Sequence, residues 1–112
     1  MSQTLLARLL AIAILLAATA GPGFGQSATD SAASLYKKNC ASCHGSDGRG
    51  SAVGKSLNAA DFHSAQVQKQ SDAQLAGVVA EGRGNMPPFG TRLSKDQIDA
   101  LVKYIRTLGK AK

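Results

Sequence analysis

The sequence predicts a small all-α domain with three main helices and long connecting loops. Two Ser-x-x-Gln capping boxes, which begin at Ser71 and Ser94, each precede apolar residues at helical spacing, and this pattern is typical of a helix start. A third helix is indicated after Asp30 or Ser31, because either side chain can act as its N-cap. These three starts are the basis of the predicted fold class.

The N-terminal residues 1–20 predict a secretory signal peptide. Arg8 precedes an apolar run from Leu9 to Ala18, and the small residues around Ala20 suit a cleavage site. Spanning a bilayer takes about 20 apolar residues, so cleavage is favoured over a retained membrane anchor. A cleavage site near Gln26 is the alternative. Residues 21–29 are then a flexible tether, and residues 30–112 form a single domain.

The first helix is expected from Ser31 to about Cys43. Leu35 and Tyr36 lie on one face of it at helical spacing, and Ala32 adds a small residue to the same face. The end of this helix carries the most informative motif of the chain.

That motif is Cys40-Ala41-Ser42-Cys43-His44, the C-x-x-C-H attachment signature of a c-type haem. Two thiols three residues apart can form thioether bonds to the two vinyl groups of one porphyrin. The following His44 then lies beside the iron, where an imidazole nitrogen can be the proximal ligand. We therefore expect one covalently bound haem c.

Three other sites can contain a Cys-x-x-Cys pair: a redox dithiol, half of a zinc site, or a short disulfide. Zinc needs further ligands, but the chain has no third Cys, and His63 is its only other His. A thioredoxin-like dithiol needs a βαβ context, and no segment near Cys40 alternates like a strand. Haem attachment is the favoured interpretation.

We expect residues 45–62 to form a long loop that covers one edge of the haem, with Leu57 and Phe62 turned inwards. The segment Gly54-Lys55-Ser56 resembles part of a phosphate-binding loop. The required upstream glycine is replaced by Arg49, and no strand precedes the segment. Nucleotide binding is therefore rejected.

The second main helix is expected from its capping box at Ser71 to about Glu81, where Gly82 ends it. The third is expected to begin after Ser94 and to stop at Gly109. The third helix has a clear amphipathic stripe, formed by Ile98, Leu101, Val102, Ile105 and Leu108.

Between these helices lies Met86, the only methionine besides Met1. A Pro pair follows it, which favours an extended backbone, and glycines on both sides let the chain pass close to a flat ring. Its thioether is a soft ligand suited to the sixth iron position. The alternatives are a methionine that fills the core and a distal His63 in its place. We favour Met86 as the distal ligand.

The CASCH motif, the late Gly-x-Gly-Asn-Met-Pro-Pro-Phe loop and the closing helix together resemble the class I c-type cytochromes, over about Asp30 to Leu108. The resemblance implies a small cytochrome c fold wrapped around one covalently bound haem, with Cys40 and Cys43 attached to it and His44 and Met86 on the iron. It also implies haem attachment outside the cytoplasm, and therefore a periplasmic protein.

The resemblance has two further structural consequences. Tyr36 and Ala32 are expected to pack against the last helix. In the family a proline carbonyl commonly accepts the Nδ1 proton of the proximal histidine, but this chain has no proline between His44 and Met86. Another carbonyl, around Lys55 or Ser56, is expected to take that proton.

With iron ligated by the chain on both sides, no position is left for a substrate, and no catalytic dyad or triad is visible. The expected function is a one-electron carrier between larger redox proteins, present as a monomer and not an enzyme. The alternatives are a cytochrome subunit of a periplasmic dehydrogenase or terminal oxidase complex, and a ligand-binding or peroxidase-like haem protein.

The chain is basic, with 13 Lys and Arg against 7 Asp and Glu. Loss of Arg8 with the signal peptide leaves a formal charge of +5, one below the +6 of the whole chain. Such a surface can attract an acidic partner, while no motif indicates nucleic acid binding. With few aromatic residues and a short folded part, the chain without haem is expected to be largely unfolded.

Overall fold

The computed structural model describes residues 30–112, which form six helices and no strand. The helices are α1 (Ala32–Asn39), α2 (Ala41–His44), α3 (Ala52–Ser56), α4 (Ala65–Gln68), α5 (Asp72–Glu81) and α6 (Lys95–Lys110). The predicted all-α class is confirmed. The signal peptide and the tether predicted for residues 1–29 lie outside the described residues.

The core is built on α6, against which α1 and α5 pack. The stripe predicted on this helix is buried at four positions, and Leu101 has no exposed surface. The side chains that complete the core from α1 and α5 are Leu35, Tyr36, Leu75 and Val79. Within residues 30–112, none of the helices has the length and apolar character needed to cross a membrane.

Both predicted capping boxes are formed. The Ser71 hydroxyl accepts from the Gln74 N–H at 3.1 Å, and the Gln74 side chain accepts from the Ser71 N–H at 2.8 Å. Ser94 and Gln97 make the same pair of bonds at the start of α6. Each box satisfies two N–H groups that a helix start would otherwise leave without a partner.

The crossing of α1 and α6 is centred on Tyr36. Its ring lies 5.2 Å from that of Tyr104 on α6 and 6.2 Å from that of Phe62, measured between centroids. Its hydroxyl donates to the Gly45 carbonyl at 2.6 Å, and burial raises the pKa of Tyr36 well above its ordinary value. The expected packing of Tyr36 on the last helix is confirmed, and the same side chain holds the loop that follows His44.

The first helix is shorter than predicted. It begins after Ser31, whose hydroxyl caps it, but it ends at Asn39, because Cys40 leaves helical geometry with φ −123° and ψ −37°. The Asn39 amide donates to the Leu35 carbonyl at 2.9 Å. Such a local side-chain bond competes with the regular ladder. A separate short helix, α2, then carries Cys43 and His44.

Arg106 has a role that the sequence did not indicate. Arg106 lies towards the C-terminal end of α6, where a positive charge suits the helix dipole, yet its side chain is only 18% exposed. Its Nε donates to the Asp72 carboxylate at 2.9 Å, and its other nitrogens donate to the carbonyls of Val67 and Gln70. Arg106 therefore connects α6 with α4, with the start of α5 and with the link between them.

The predicted stop of α6 at Gly109 is wrong, since the helix continues to Lys110. A side chain at position 109 would place its Cβ 2.7 Å from the Phe62 carbonyl oxygen and 2.5 Å from the Gln68 amide nitrogen. The Gln68 side chain can move, but the Phe62 backbone cannot move easily. Glycine is needed here for a close approach between distant segments rather than for a helix end.

We expect Gly109→Ala to lower the free energy of unfolding by about 1–3 kcal/mol, because the added methyl group overpacks this contact. Gly77→Ala is the matched control, since nothing lies within 4 Å of its Cβ position inside α5. That control should raise the free energy of unfolding by about 0.5–1 kcal/mol. Denaturant unfolding of the purified proteins measures both values. A Gly109→Ala protein as stable as the control would contradict the close contact.

Candidate functional site

The two cysteines belong to the short helix α2 and to the residue that precedes it. Cys40 precedes the helix and Cys43 lies in it, and both are half-buried with free thiols. Burial raises the pKa of Cys40 to about 11. Redox dithiols instead have a lowered pKa, which makes the thiolate available. The environment of Cys40 therefore opposes the redox-dithiol interpretation of the motif.

His44 is held by a hydrogen bond to a backbone carbonyl. Its Nδ1 lies 3.1 Å from the carbonyl oxygen of Ala60, and because a carbonyl can only accept, the proton is on Nδ1. Its Nε2 then has a free lone pair. Burial lowers the pKa of His44, and the bond to Ala60 opposes this only in part. A neutral imidazole with a free Nε2 is the form that binds a metal.

The acceptor of this proton corrects the expectation of Lys55 or Ser56. The chain turns sharply after α3, where Asn58 has φ +60° and the Ala59 N–H donates to the Gly54 carbonyl at 2.8 Å. This turn brings the Ala60 carbonyl back to the imidazole. A backbone carbonyl of an alanine thus takes the role that the family resemblance gives to a proline carbonyl.

The His44 ring is also fixed by Phe62. The two rings are stacked, with centroids 4.6 Å apart and an interplanar angle of 24°. Phe62 is 5% exposed, as predicted, and its ring fills the space next to Gly48, where a Cβ would lie 2.6 Å from it. The imidazole orientation is therefore determined by both a hydrogen bond and a packed aromatic side chain.

His63, the rival distal ligand, is engaged elsewhere. Its Nε2 lies 3.1 Å from the Asp47 carbonyl oxygen, to which it donates, and its backbone N–H donates to the Asp61 carboxylate at 2.8 Å. This arrangement favours a hydrogen-bonded loop residue over an iron ligand.

The Met86 loop begins with a tight turn. Arg83 and Met86 exchange two backbone hydrogen bonds of 3.0 and 2.9 Å, with Gly84 and Asn85 between them. Gly84 has φ +55°, a conformation that glycine adopts without strain. Met86 itself is half-buried and packs against the main core, as does Cys40.

After Met86 the chain returns to α5. The N–H groups of Phe89 and Gly90 donate to the carbonyls of Val79 and Ala80 at 3.0 and 2.9 Å. Phe89 is 4% exposed, and the Arg92 guanidinium lies 4.4 Å from its ring centroid. The C-terminal side of the loop is therefore anchored on the last turn of α5.

The short helix α3 lies against α2. The Ser51 N–H and hydroxyl both donate to the Cys43 carbonyl, at 2.9 and 3.2 Å, and the hydroxyl also reaches the Ser42 carbonyl at 2.6 Å. At Gly54 a Cβ would lie 1.7 Å from the Cys43 oxygen, so no larger residue fits. This contact explains Gly54 in the segment that resembled a phosphate-binding loop.

The other end of α3 meets the Met86 loop. The Asn85 amide nitrogen donates to the Leu57 carbonyl at 3.2 Å. Val53 and Leu57 are 61% and 42% exposed and present an apolar surface on this helix. Phe62 takes the buried position next to His44, whereas Leu57 is part of this apolar surface, so that its inward position against the haem stays a prediction.

These donors fit a haem c in their chemistry. Two thiols and a neutral imidazole lie on α2 and the residue before it, and a thioether lies on a loop that α3 joins to that helix. The exposed apolar side chains of α3 suit the face of a porphyrin. Two surface grooves of about 580 and 680 Å³ flank α5, and neither is lined by Cys40, Cys43, His44 or Met86.

The residues that organise this site were not all found from the sequence. Ser51 and Gly54 contact the Cys43 carbonyl, the Ala60 carbonyl accepts from His44, and Asn85 joins the Met86 turn to Leu57. Asn85 lies in the Gly-x-Gly-Asn-Met-Pro-Pro-Phe loop, but the sequence predicted no role for it. The detectable signal for Ser51 is a serine at the start of a short helix.

Comparison with known proteins identifies the family. The family described as cytochrome C oxidase, cbb3-type, subunit III matches residues 27–105. A cbb3-type cytochrome c oxidase subunit FixP of Azorhizobium caulinodans is 37% identical over 69% of this chain and 26% of its own length. The chain thus spans about a quarter of that relative.

Shorter proteins match over most of their length. A cytochrome c6 of Microcystis aeruginosa is 36% identical over 65% of this chain and 88% of its own. The solved structure of the KustC0563 c-type cytochrome superposes with a TM-score of 0.67 at 34% identity, over 72% of this chain and all of that one. The chain therefore belongs to the cytochrome c family, whose members are electron-transfer proteins with covalently bound haem c.

Proposed function

We propose that the chain is a monomeric, single-haem cytochrome c that carries one electron at a time between larger redox proteins of the periplasm. In this proposal residues 1–20 are a signal peptide, residues 21–29 a tether and residues 30–112 the cytochrome c domain. Haem c is attached through Cys40 and Cys43, with His44 and Met86 as the two iron ligands. When bound, this group supplies an iron that exchanges one electron between its ferrous and ferric states.

The observation that carries the proposal is the state of His44. Its Nδ1 donates to the Ala60 carbonyl oxygen, with 3.1 Å between the nitrogen and the oxygen. Its ring is stacked on Phe62, and burial lowers the pKa of His44. The lone pair of the unprotonated Nε2 is thus held in a fixed direction by the hydrogen bond and by the stacked ring. Rigid ligands of this kind suit electron transfer, because little has to rearrange when the electron arrives or leaves.

Met86 supports a carrier rather than a catalyst. Its turn is closed by the backbone pair with Arg83, and the chain after it is anchored on α5. As the proposed sixth iron ligand, a thioether held in this way would take the position that oxygen, peroxide or a substrate needs. Its softness also favours the ferrous state.

A second function is favoured by a specific comparison. The matched family and the FixP relatives are described as subunits of cbb3-type oxidase, and FixP of Azorhizobium caulinodans is much longer than the matched segment. This chain is then a cytochrome subunit of a periplasmic dehydrogenase or terminal oxidase complex. Gel filtration of gently extracted protein separates the two functions, since a subunit elutes with its complex and a carrier elutes alone.

The Met86→Ala variant tests the distal ligand. Oxidised parent protein should show the weak long-wavelength absorption band of methionine bound to ferric iron, and the variant should lose it while the c-type α-band of the reduced form stays. His63→Gln is the control, because the ring of His63 is bonded to the Asp47 carbonyl, and it should keep the long-wavelength band. A band that survives in Met86→Ala would exclude Met86 as the ligand.

Replacement of both attachment cysteines tests the cofactor. Cys40→Ser with Cys43→Ser should leave no pigment on the chain after denaturation in acid and organic solvent. The same variant should have little helical circular dichroism, because a domain this small depends on the cofactor for part of its core. Ser42→Ala, which changes an exposed side chain between the cysteines, should keep the pigment. A helical double variant would contradict the structural role of the haem.

Carbon monoxide distinguishes a carrier from a ligand-binding or peroxidase-like haem protein. We expect the reduced parent protein to leave carbon monoxide unbound at neutral pH, because Met86 holds the sixth position. The Met86→Ala variant should bind it. Rapid binding of carbon monoxide to the reduced parent protein, measured by the shift of its Soret band, would favour the ligand-binding class instead.

A further inference from the structure

Within residues 30–112, one hydrogen bond joins the turn that carries Met86 to residues 40–62, which hold the cysteines and His44. The backbone hydrogen bonds of residues 82–90 join them only to each other, to α5, and to Arg92 and Leu93. Within residues 30–112, the hydrogen bond from the Asn85 amide to the Leu57 carbonyl is the one that joins residues 82–90 to residues 40–62. It spans 28 residues of sequence.

Asn85 is placed to make this bond without strain. It occupies the second central position of the turn, between Gly84 and Met86, and its φ is not in the left-handed region. Its side chain is exposed. Because this bond lies at the surface, it adds little to the stability of the core. Its main effect is to fix the position of the turn.

The acceptor of this bond is itself fixed. Leu57 ends α3, and its N–H donates to the Gly54 carbonyl at 3.0 Å. The opposite end of α3 is held on Cys43 by Ser51 and by the close contact at Gly54. A short rigid helix thus lies between the carbonyl of Cys43 and the side chain of Asn85.

We propose that Asn85 is a positioning residue for Met86, and that α3 acts as a strut which keeps the Met86 turn at a set distance from the helix of Cys43 and His44. The inference rests on the proposed function, since it concerns Met86 as an iron ligand. A loop held at both its base and its tip releases the thioether less often than a loop held at its base alone.

The test uses haem-loaded, oxidised protein and imidazole, which can bind only when Met86 has left the iron. Asn85→Ala should bind imidazole about fivefold faster than the parent, the ratio that corresponds to loss of one neutral hydrogen bond. Asn85→Leu, which keeps the size of the side chain but cannot donate, should behave in the same way. The midpoint potential of both variants should fall, because weaker thioether ligation favours the ferrous state less.

Gln70→Ala is the matched control. The Gln70 amide is a donor to a backbone carbonyl, that of Gln66, at 3.3 Å, and this bond does not touch the strut or the turn. The Gln70→Ala substitution should lower the free energy of unfolding by a similar small amount. It should leave the rate of imidazole binding and the midpoint potential unchanged. If Gln70→Ala accelerates imidazole binding as much as the Asn85 variants do, the effect comes from a general loss of stability and the inference is overturned.

The outcomes separate this inference from the function on which it rests. If the parent protein lacks the methionine band, or binds imidazole as fast as Met86→Ala, the proposed ligation fails. If the band is present and both Asn85 variants bind imidazole at the parent rate, the ligation stands and the role of Asn85 is refuted.

Discussion

The fixed imidazole of His44 is the constraint on which the rest of the structure depends. Its Nδ1 is satisfied by Ala60, and its ring lies against Phe62. Phe62 in turn donates its N–H to the Gly48 carbonyl at 2.9 Å and is approached closely by Gly109 of α6. Helix α6 therefore supports the ligand through Phe62, and the segment between α2 and α4 brings Phe62 to this position.

A second constraint joins the two halves of the candidate site. The cysteines and His44 belong to the N-terminal part of the chain, and Met86 belongs to a loop of α5. Helix α3 lies between them, bonded to Cys43 at one end and to Asn85 at the other. Helix α3, which lies in the loop expected for residues 45–62, is therefore a structural element of the site. Its Gly54 is required by the close contact with α2.

Local signals predicted the starts of α1, α5 and α6, whereas the short helices α2, α3 and α4 were not predicted as separate elements. Capping boxes identified α5 and α6 because the bonds that start a helix lie within four residues. Gly109 was interpreted as a helix end, although its reason is the distant Phe62 carbonyl. The acceptor for His44 is a backbone oxygen, which every residue has, so residue type could not single out Ala60. At the break before Cys40 the Asn39 side chain donates to the Leu35 carbonyl, a bond that residue type alone does not reveal.

The burial of Cys40 has a consequence for the biogenesis of the protein. A thiol whose pKa is raised to about 11 is almost entirely protonated at neutral pH, and protonated thiols are poor nucleophiles. Packed against the core, this sulfur is less available to an incoming group than it is in an open chain. If Cys40 carries the cofactor as proposed, the open haem-free chain offers the thiol for attachment, and the closed fold then shields the completed thioether bond.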